Sequence, residues 1–144
     1  MNYEDLMRDA HQFAKLHSSD PDTQVCTLYV DTDTRQILVS GCNVLPEGLN
    51  ASPERLSRPL KYKYIEHAER NGIYNACAKQ IILQGCTAIT TLFPCVDCTR
   101  AMIQCGVKKI VTHAPNFLDP KWGDDFAISS TMLREANVEV HVLH

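Results

Sequence analysis

Two short motifs in this sequence carry the residue types of a metal site that performs hydrolysis. His67 precedes Glu69 by two positions, and Cys95 precedes Cys98 by three positions, directly after Pro94. One imidazole and two thiolates can hold Zn²⁺ tetrahedrally with the fourth position open to water. Zinc brings the pKa of such a water near neutrality, and a nearby carboxylate can move its protons. We therefore predict His67, Cys95 and Cys98 as zinc ligands and Glu69 as the catalytic acid and base.

The same residues also have simpler interpretations. A Cys-x-x-Cys pair occurs in redox motifs and half zinc knuckles, and one histidine and two cysteines can simply be buried in a core. A structural zinc usually has four protein ligands, but the nearest further cysteine, Cys105, is expected at the far end of the helix that Cys95 begins. Glu69 also favours catalysis, because a structural zinc needs no group that moves protons.

Hydrophobic periodicity places both motifs in an α/β fold. The predicted elements are helices at 3–18, 65–80, 95–104 and 124–136 and strands at 25–30, 37–40, 87–92, 109–112 and 138–143. Gly106 is expected to end the third helix in a left-handed cap. Strands joined through helices run parallel, whereas the short 31–36 connection makes the first two strands an antiparallel hairpin. We predict one domain over residues 1–144, a three-layer α-β-α sandwich whose five-stranded mixed sheet has its last three strands parallel.

Composition indicates a small-molecule enzyme. The chain has 14 Lys and Arg against 17 Asp and Glu and no basic run. This balance argues against a long nucleic acid as a partner. The acidic start and the lack of a long apolar stretch argue against a secretory signal and a membrane partner, so we expect a cytoplasmic protein. Seven cysteines, an odd number, favour free thiols and a metal site over a disulfide framework.

Four stretches, at 19–25, 41–48, 67–71 and 92–98, together resemble the deoxycytidylate (dCMP) deaminase family. The resemblance implies the cytidine deaminase-like fold, with the two zinc-bearing helices on one face of the sheet and His67, Cys95, Cys98 and Glu69 in the roles given above. It also implies that Asn43 contacts the sugar, and that the backbone amide of Ala68 and the carbonyl just before Pro94 hold the edge of the base. A homo-oligomer, a dimer or larger, is implied as well.

The sequence departs from the family in three places. The usual Gly-Tyr-Asn-Gly is replaced by Gly41-Cys42-Asn43-Val44, which alters the loop at the sugar. Residues 43–66 contain neither Cys nor His, so we predict one zinc per chain and no second, structural zinc. The segment 113–123 lacks the spaced tyrosines of relatives, so substrate recognition is expected to differ there.

Weaker candidates for substrate contacts lie in the loops. Segment 61–64 ends at Tyr64 and could present a lysine or tyrosine to a phosphate, although a solvated charge with packed rings explains it equally well. Trp122 and Phe117 could stack on a base or pack their loop. Ser19 and Thr23 could approach the substrate or form an ordinary turn. His113 leaves the carboxyl end of a strand, where α/β sheets tend to bind ligands.

The function predicted from these residues is zinc-dependent hydrolytic deamination of a cytosine-type nucleotide, with dCMP as first substrate and dUMP and ammonia as products. Deamination of a free base or nucleoside, of the cytosine, isocytosine, guanine or cytidine type, is the main alternative. A nucleic-acid-editing deaminase and a non-catalytic zinc module are further alternatives, which the acidic composition and Glu69, respectively, disfavour.

Overall fold

The computed structural model describes all 144 residues, as a five-stranded sheet between two layers of helices. The elements in chain order are α1 (Tyr3–His17), β1 (Cys26–Val30), β2 (Ile37–Cys42), α2 (Lys61–Tyr64), α3 (Ala68–Ala78), β3 (Thr87–Thr90), α4 (Val96–Gln104), β4 (Lys109–His113), α5 (Gly123–Glu135) and β5 (Glu139–Leu143). No helix is both long and apolar enough to cross a membrane.

The strand order in the sheet is β2-β1-β3-β4-β5. Strand β1 is antiparallel to both of its neighbours, β2 and β3. Strands β3, β4 and β5 run parallel, joined through α4 and α5. The predicted α/β fold, with a five-stranded mixed sheet whose last three strands are parallel, is therefore confirmed.

A separate hydrophobic cluster covers each face of the sheet. On one face, α1 packs Leu6 and Ala10 against strand residues such as Leu28 and Val111. On the other face, α3, α4 and α5 pack against strand residues such as Ile110. All of β1 is buried because both of its faces are covered. Each buried aliphatic side chain contributes about 1.5–3 kcal/mol to folding, so the two clusters fix the helices that carry the zinc motifs.

Two glycines, one on each element, allow helix α3 to lie directly on strand β2. A Cβ atom at Gly41 would overlap the backbone of Gly72 and the carbonyl oxygen of Ala68, so only glycine fits at position 41. A Cβ at Gly72 would in turn lie 2.6 Å from a ring carbon of Tyr29. This contact sets the height of α3 above the sheet, and α3 follows directly on His67.

The structure divides the helix predicted at 65–80. The one-turn helix α2 ends at Tyr64, and Ile65 and His67 are extended before α3 begins. Glu66 forms an isolated backbone bridge with Val44, which holds this segment against the loop after β2. The prediction missed the break because the apolar pattern continues across it, whereas the bridge is a long-range contact. Gly106, at φ +79°, provides the predicted left-handed cap after α4.

Candidate active site

The residues predicted as zinc ligands converge at the starts of two neighbouring helices. His67 is the N-cap residue of α3 and Cys95 that of α4, both with extended backbone. His67 Nδ1 lies 3.4 Å from the Sγ atoms of both Cys95 and Cys98. The three ligand atoms all lie within 4.8 Å of one another.

This triangle fits one Zn²⁺. Zinc bonds of about 2.0–2.3 Å at a tetrahedral angle separate ligand atoms by about 3.5 Å, close to the observed N–S distances. One imidazole and two sulfurs suit zinc better than oxygen-preferring cations. The group therefore can bind one metal ion, as the sequence predicted.

The two thiols titrate as a pair. Interaction with Cys98 and with His67 lowers the pKa of the Cys95 thiol. Interaction with Cys95 and burial raise the pKa of the Cys98 thiol. The dipole of α4 favours the thiolate at both positions, but a second negative charge beside the first is unfavourable. A divalent cation between the sulfurs would favour the thiolate at both positions.

Residues around the triangle hold the two helix starts in place. Glu66 Oε1 accepts hydrogen bonds from the backbone N–H of His67 and from Arg70 Nε, both at 2.9 Å. The side chain of Cys95, the N-cap residue of α4, accepts no capping hydrogen bond. Instead, Asp125 of α5 accepts a hydrogen bond from the backbone N–H of Val96 at 2.9 Å. A carboxylate at this position also complements the positive end of the α4 dipole.

Glu69 is buried in the first turn of α3, beside the ligand triangle. Its Oε1 lies 3.1 Å from the Thr90 hydroxyl, and its backbone carbonyl accepts a hydrogen bond from Tyr29 at 2.7 Å. Burial raises the pKa of the Glu69 carboxyl. A buried carboxyl with a raised pKa can both accept and return a proton, which is the role predicted for Glu69.

A cavity of about 470 Å³ opens above these groups. His67, Ala68, Glu69 and Cys95 line its inner end. The segments before β1 and after β2, β3 and β4, which all lie at the same end of the sheet, form its walls. Its volume lies in the range of small-molecule sites.

Asn43 lines the cavity, as does Thr23. Asn43 Oδ1 accepts hydrogen bonds from the Ser18 hydroxyl at 2.6 Å and the Val25 N–H at 2.9 Å, and Nδ2 donates to the Thr23 carbonyl at 2.7 Å. One N–H of the amide therefore remains for a ligand. Asn43 thus holds the α1–β1 loop against β2 in addition to facing the cavity.

Lys61 and Asp20 form a buried ion pair in the same wall. Lys61 Nζ lies 2.9 Å from Asp20 Oδ2, with side chains 4% and 8% exposed. Asp20 Oδ1 also accepts hydrogen bonds from the backbone N–H groups of Asp22 and Thr23. The charge of Lys61, a lysine we considered for a phosphate, is therefore already balanced within the protein.

Two other cations face the cavity without such a partner. Arg58 and Lys121 both line it, and neither has an acidic side chain within ion-pair distance. Lys121 Nζ lies 3.8 Å from the centre of the Tyr62 ring. The nearby Lys121 lowers the pKa of Tyr62, and the charges of Arg58 and Lys61 act in the same direction. Arg58 and Lys121 thus place positive charge in the cavity wall although the whole chain has a net charge of −3.

Aromatic side chains form another wall. Trp122 and Phe126 stack at 6.4 Å between ring centres, and Phe93 meets Phe126 edge to face at 5.7 Å. All three line the cavity. Trp122, a candidate for stacking on a base, therefore lines the cavity, whereas Phe117 is exposed and is not part of the lining.

Several candidates lie outside the cavity lining. Ser19 accepts a hydrogen bond from the Leu45 N–H, and Tyr64 packs beneath Arg55. Pro94 is buried between Phe93 and Cys95. His113 lies on the opposite face of the sheet, against α1, because alternation along β4 puts it on the same side as Val111.

Sequence reasoning missed other lining residues, notably Asp20, Arg58, Asn116, Asp119, Lys121 and Phe126. They come from loops without periodicity and from contacts between distant parts of the chain. The sequence carries two signals for them: the long irregular loop at 42–59, since such loops in compact domains are often functional, and the segment 113–123, where substrate recognition is predicted to differ.

Comparison with known families settles the class of this site. The family model for the cytidine and deoxycytidylate deaminase zinc-binding region matches residues 1–114. The chain belongs to this deaminase family. As a family member it is a zinc-dependent hydrolase, and the predicted resemblance is confirmed.

Relatives of this deaminase include nucleotide enzymes. An uncharacterized deaminase from the luxG 3′ region of Aliivibrio fischeri is 36% identical over 125 residues, covering 85% of this chain and 81% of that protein. Deoxycytidylate deaminase of Mus musculus is 33% identical over 108 residues, covering 71% of this chain but 59% of the mouse enzyme. The dCMP deaminase of cyanophage S-TIM5, solved with dCMP and dUMP, shares the fold with a TM-score of 0.77 at 24% identity, covering 97% of this chain and 95% of that chain.

Proposed function

We propose that this deaminase converts dCMP to dUMP and ammonia. One observation carries the choice of a nucleotide over a free base: the cavity lined by His67, Cys95 and Glu69 is also lined by Arg58 and Lys121, two cations without an acidic partner. A phosphate monoester carries two negative charges near neutral pH and is well matched by an arginine and a lysine. The similarity to the deoxycytidylate deaminase of Mus musculus supports the same substrate.

The reaction breaks the bond between C4 of the ring and its exocyclic nitrogen and forms a bond from C4 to the oxygen of water. Zinc held by His67, Cys95 and Cys98 supplies a Lewis acid that makes water a nucleophile near neutral pH. Glu69 accepts a proton from water and delivers it to ring nitrogen N3. It then carries the second proton to the departing nitrogen, so that ammonia leaves and Glu69 is regenerated.

Other residues orient the substrate. In this proposal the backbone N–H of Ala68 and the carbonyl before Pro94 bind the edge of the ring. The free N–H of Asn43 is available to the sugar, on the same wall as Thr23. The stacked rings of Trp122 and Phe126 shield the reaction from bulk water.

A substrate panel tests the proposal. Deamination of dCMP, deoxycytidine, cytosine, isocytosine and guanine is followed by ultraviolet absorbance, with a cytosine-containing single-stranded oligonucleotide as a further arm. We expect the highest kcat/KM with dCMP. Activity confined to unphosphorylated compounds, or to the oligonucleotide, would refute the choice of dCMP, and no activity with any compound would favour a non-catalytic zinc module.

We also propose that the enzyme is a homo-oligomer in the cytoplasm. Membership of the deaminase family supports the first statement. All seven cysteines are free thiols, which suits a reducing compartment. Light scattering during size-exclusion chromatography tests the first statement, since a mass of one 16.2 kDa chain would refute it. Cell fractionation tests the second.

A further inference from the structure

A pair of histidines stands on the face of the sheet remote from the catalytic cavity. His11 is exposed in the middle of α1, and His113 is the last residue of β4. Their Nε2 atoms lie 3.1 Å apart although the residues are 102 positions apart in the chain. A proton or a cation must lie between two nitrogens at this distance, because two lone pairs facing each other repel.

The contact at Nδ1 of His113 determines whether Nε2, the nitrogen that faces His11, carries a proton. Its Nδ1 lies 3.4 Å from the backbone carbonyl oxygen of Leu143, and a carbonyl oxygen can only accept. Nδ1 of His113 therefore carries a proton. In the neutral ring the lone pair is then on Nε2, directed at His11.

A metal ion can take the place of the shared proton. Two imidazole nitrogens bound at about 2.0–2.1 Å to one ion lie about 3.0–3.4 Å apart, depending on the coordination angle. The observed separation of 3.1 Å falls in this range. An imidazole that ligates a metal typically donates its other N–H to a carbonyl or carboxylate, as His113 does to Leu143. Burial, His113 and Lys15 all lower the pKa of His11, which favours the neutral form that a metal requires.

We infer that His11 and His113 form a second, weaker transition-metal site, for Zn²⁺ or Ni²⁺, separate from the zinc of the catalytic cavity. Water completes the coordination of the ion. Imidazole pairs prefer such ions to Mg²⁺ or Ca²⁺. Because Ala114 follows His113 and lines the cavity, an ion at this site would fix the start of the 114–122 loop against α1.

Zinc titration of the enzyme containing one equivalent of zinc tests the inference. Isothermal calorimetry with Zn²⁺ is expected to show one further equivalent in the wild-type enzyme and none in His11→Ala, an exposed position that should tolerate the change. The matched control is His17→Ala, on the same helix but without a partner histidine, which should retain the further equivalent. His113→Gln should behave like His11→Ala if it folds.

A second readout is thermal. Added Zn²⁺ should raise the Tm of the wild-type enzyme and of His17→Ala but not of His11→Ala, because binding to the folded state alone stabilises it. All three should deaminate at the same rate with one equivalent of zinc, so failure of the proposed substrate would not affect the outcome. A wild-type enzyme that binds no further equivalent, or a further equivalent that persists in His11→Ala, would overturn the inference.

Discussion

The hydroxyl of Thr90 lies 3.1 Å from Oε1 of Glu69, in a part of β3 that is entirely buried. Thr27 donates a hydrogen bond to the same hydroxyl at 2.9 Å, so the single proton of Thr90 points away from Thr27. A second acceptor, the Leu92 carbonyl, lies 3.2 Å from it. The sheet therefore orients the carboxylate that moves protons in the proposed reaction.

Replacing Thr90 by valine should lower kcat with little effect on KM. Valine has nearly the same shape but removes the donor to Glu69, and one hydrogen bond to a charged group is worth about 1.5 kcal/mol, or about tenfold in rate. Steady-state kinetics with dCMP measure the effect. Thr90→Ser keeps the hydroxyl and should retain most of kcat; an equal loss in both variants would mean that packing is responsible.

Glu69→Gln should reduce kcat by about 10²–10⁴, because the amide cannot accept a proton from water. The zinc content should remain one per chain, since Glu69 is not part of the ligand triangle. Elemental analysis and circular dichroism check the zinc and the fold. Substantial turnover by the zinc-loaded variant would contradict the role given to Glu69.

Arg58→Gln and Lys121→Gln should each lower kcat/KM for dCMP by about tenfold or more, because each removes a charge-assisted contact to the phosphate. Neither should affect deoxycytidine, which has no phosphate. The matched control is Lys63→Gln, an exposed lysine of α2 that does not line the cavity. Equal losses of kcat/KM with dCMP and deoxycytidine would show that the two cations do not act by binding the phosphate.

Asp125→Ala should weaken zinc binding by about tenfold, in line with the loss of a group that orients a ligand. The variant leaves the backbone N–H of Val96 without its acceptor, next to Cys95. Competition with a chromogenic chelator measures the affinity. Asp125→Asn keeps an acceptor oxygen and should recover most of it, and Asp124→Ala, an exposed neighbour, should have no effect.

Asp20→Asn should lower the free energy of unfolding by about 3–5 kcal/mol, because it leaves the buried Lys61 without its charge partner. Asp22 lies 3.8 Å from the same nitrogen but is largely exposed, so Asp22→Asn is the matched control and should cost less than about 1 kcal/mol. Urea unfolding at neutral pH measures both. Small and similar losses of stability in both variants would show that water solvates the charge of Lys61 when Asp20 is replaced.

The same pair gives a pH dependence with a defined sign. Burial alone would raise the pKa of Asp20, but hydrogen bonds from Lys61, Asp22 and Thr23 outweigh it and lower the pKa below the ordinary 3.8. The contribution to stability is therefore complete above pH 3.8 and is lost as the pH falls through the lower, folded-state value. The difference in stability between wild type and Asp20→Asn should shrink only in that acidic range.

The chemistry of this protein was accessible from the sequence because it depends on local spacing. His67 and Glu69, like Cys95 and Cys98, are recognised by residue type and spacing. Pro94 marks the start of α4, whereas the apolar pattern does not mark the start of α3 after His67. The cavity walls were not accessible, because the pairing of Asp20 with Lys61 joins residues 41 positions apart and Arg58 comes from an irregular loop. His113 was interpreted from the end of its strand, but its place in the alternation along β4 decides which face it occupies.

The contact between Gly41 and Gly72 has a consequence for how such a protein can diversify. Because no Cβ atom fits at Gly41, a side chain there would push α3 away from β2 and displace His67 and Glu69 at the start of α3. Arg58, Lys121 and Trp122 lie outside this contact, in the connections before α3 and before α5. Substitutions at Arg58, Lys121 or Trp122 can therefore change which substrate is preferred without moving α3 relative to the sheet.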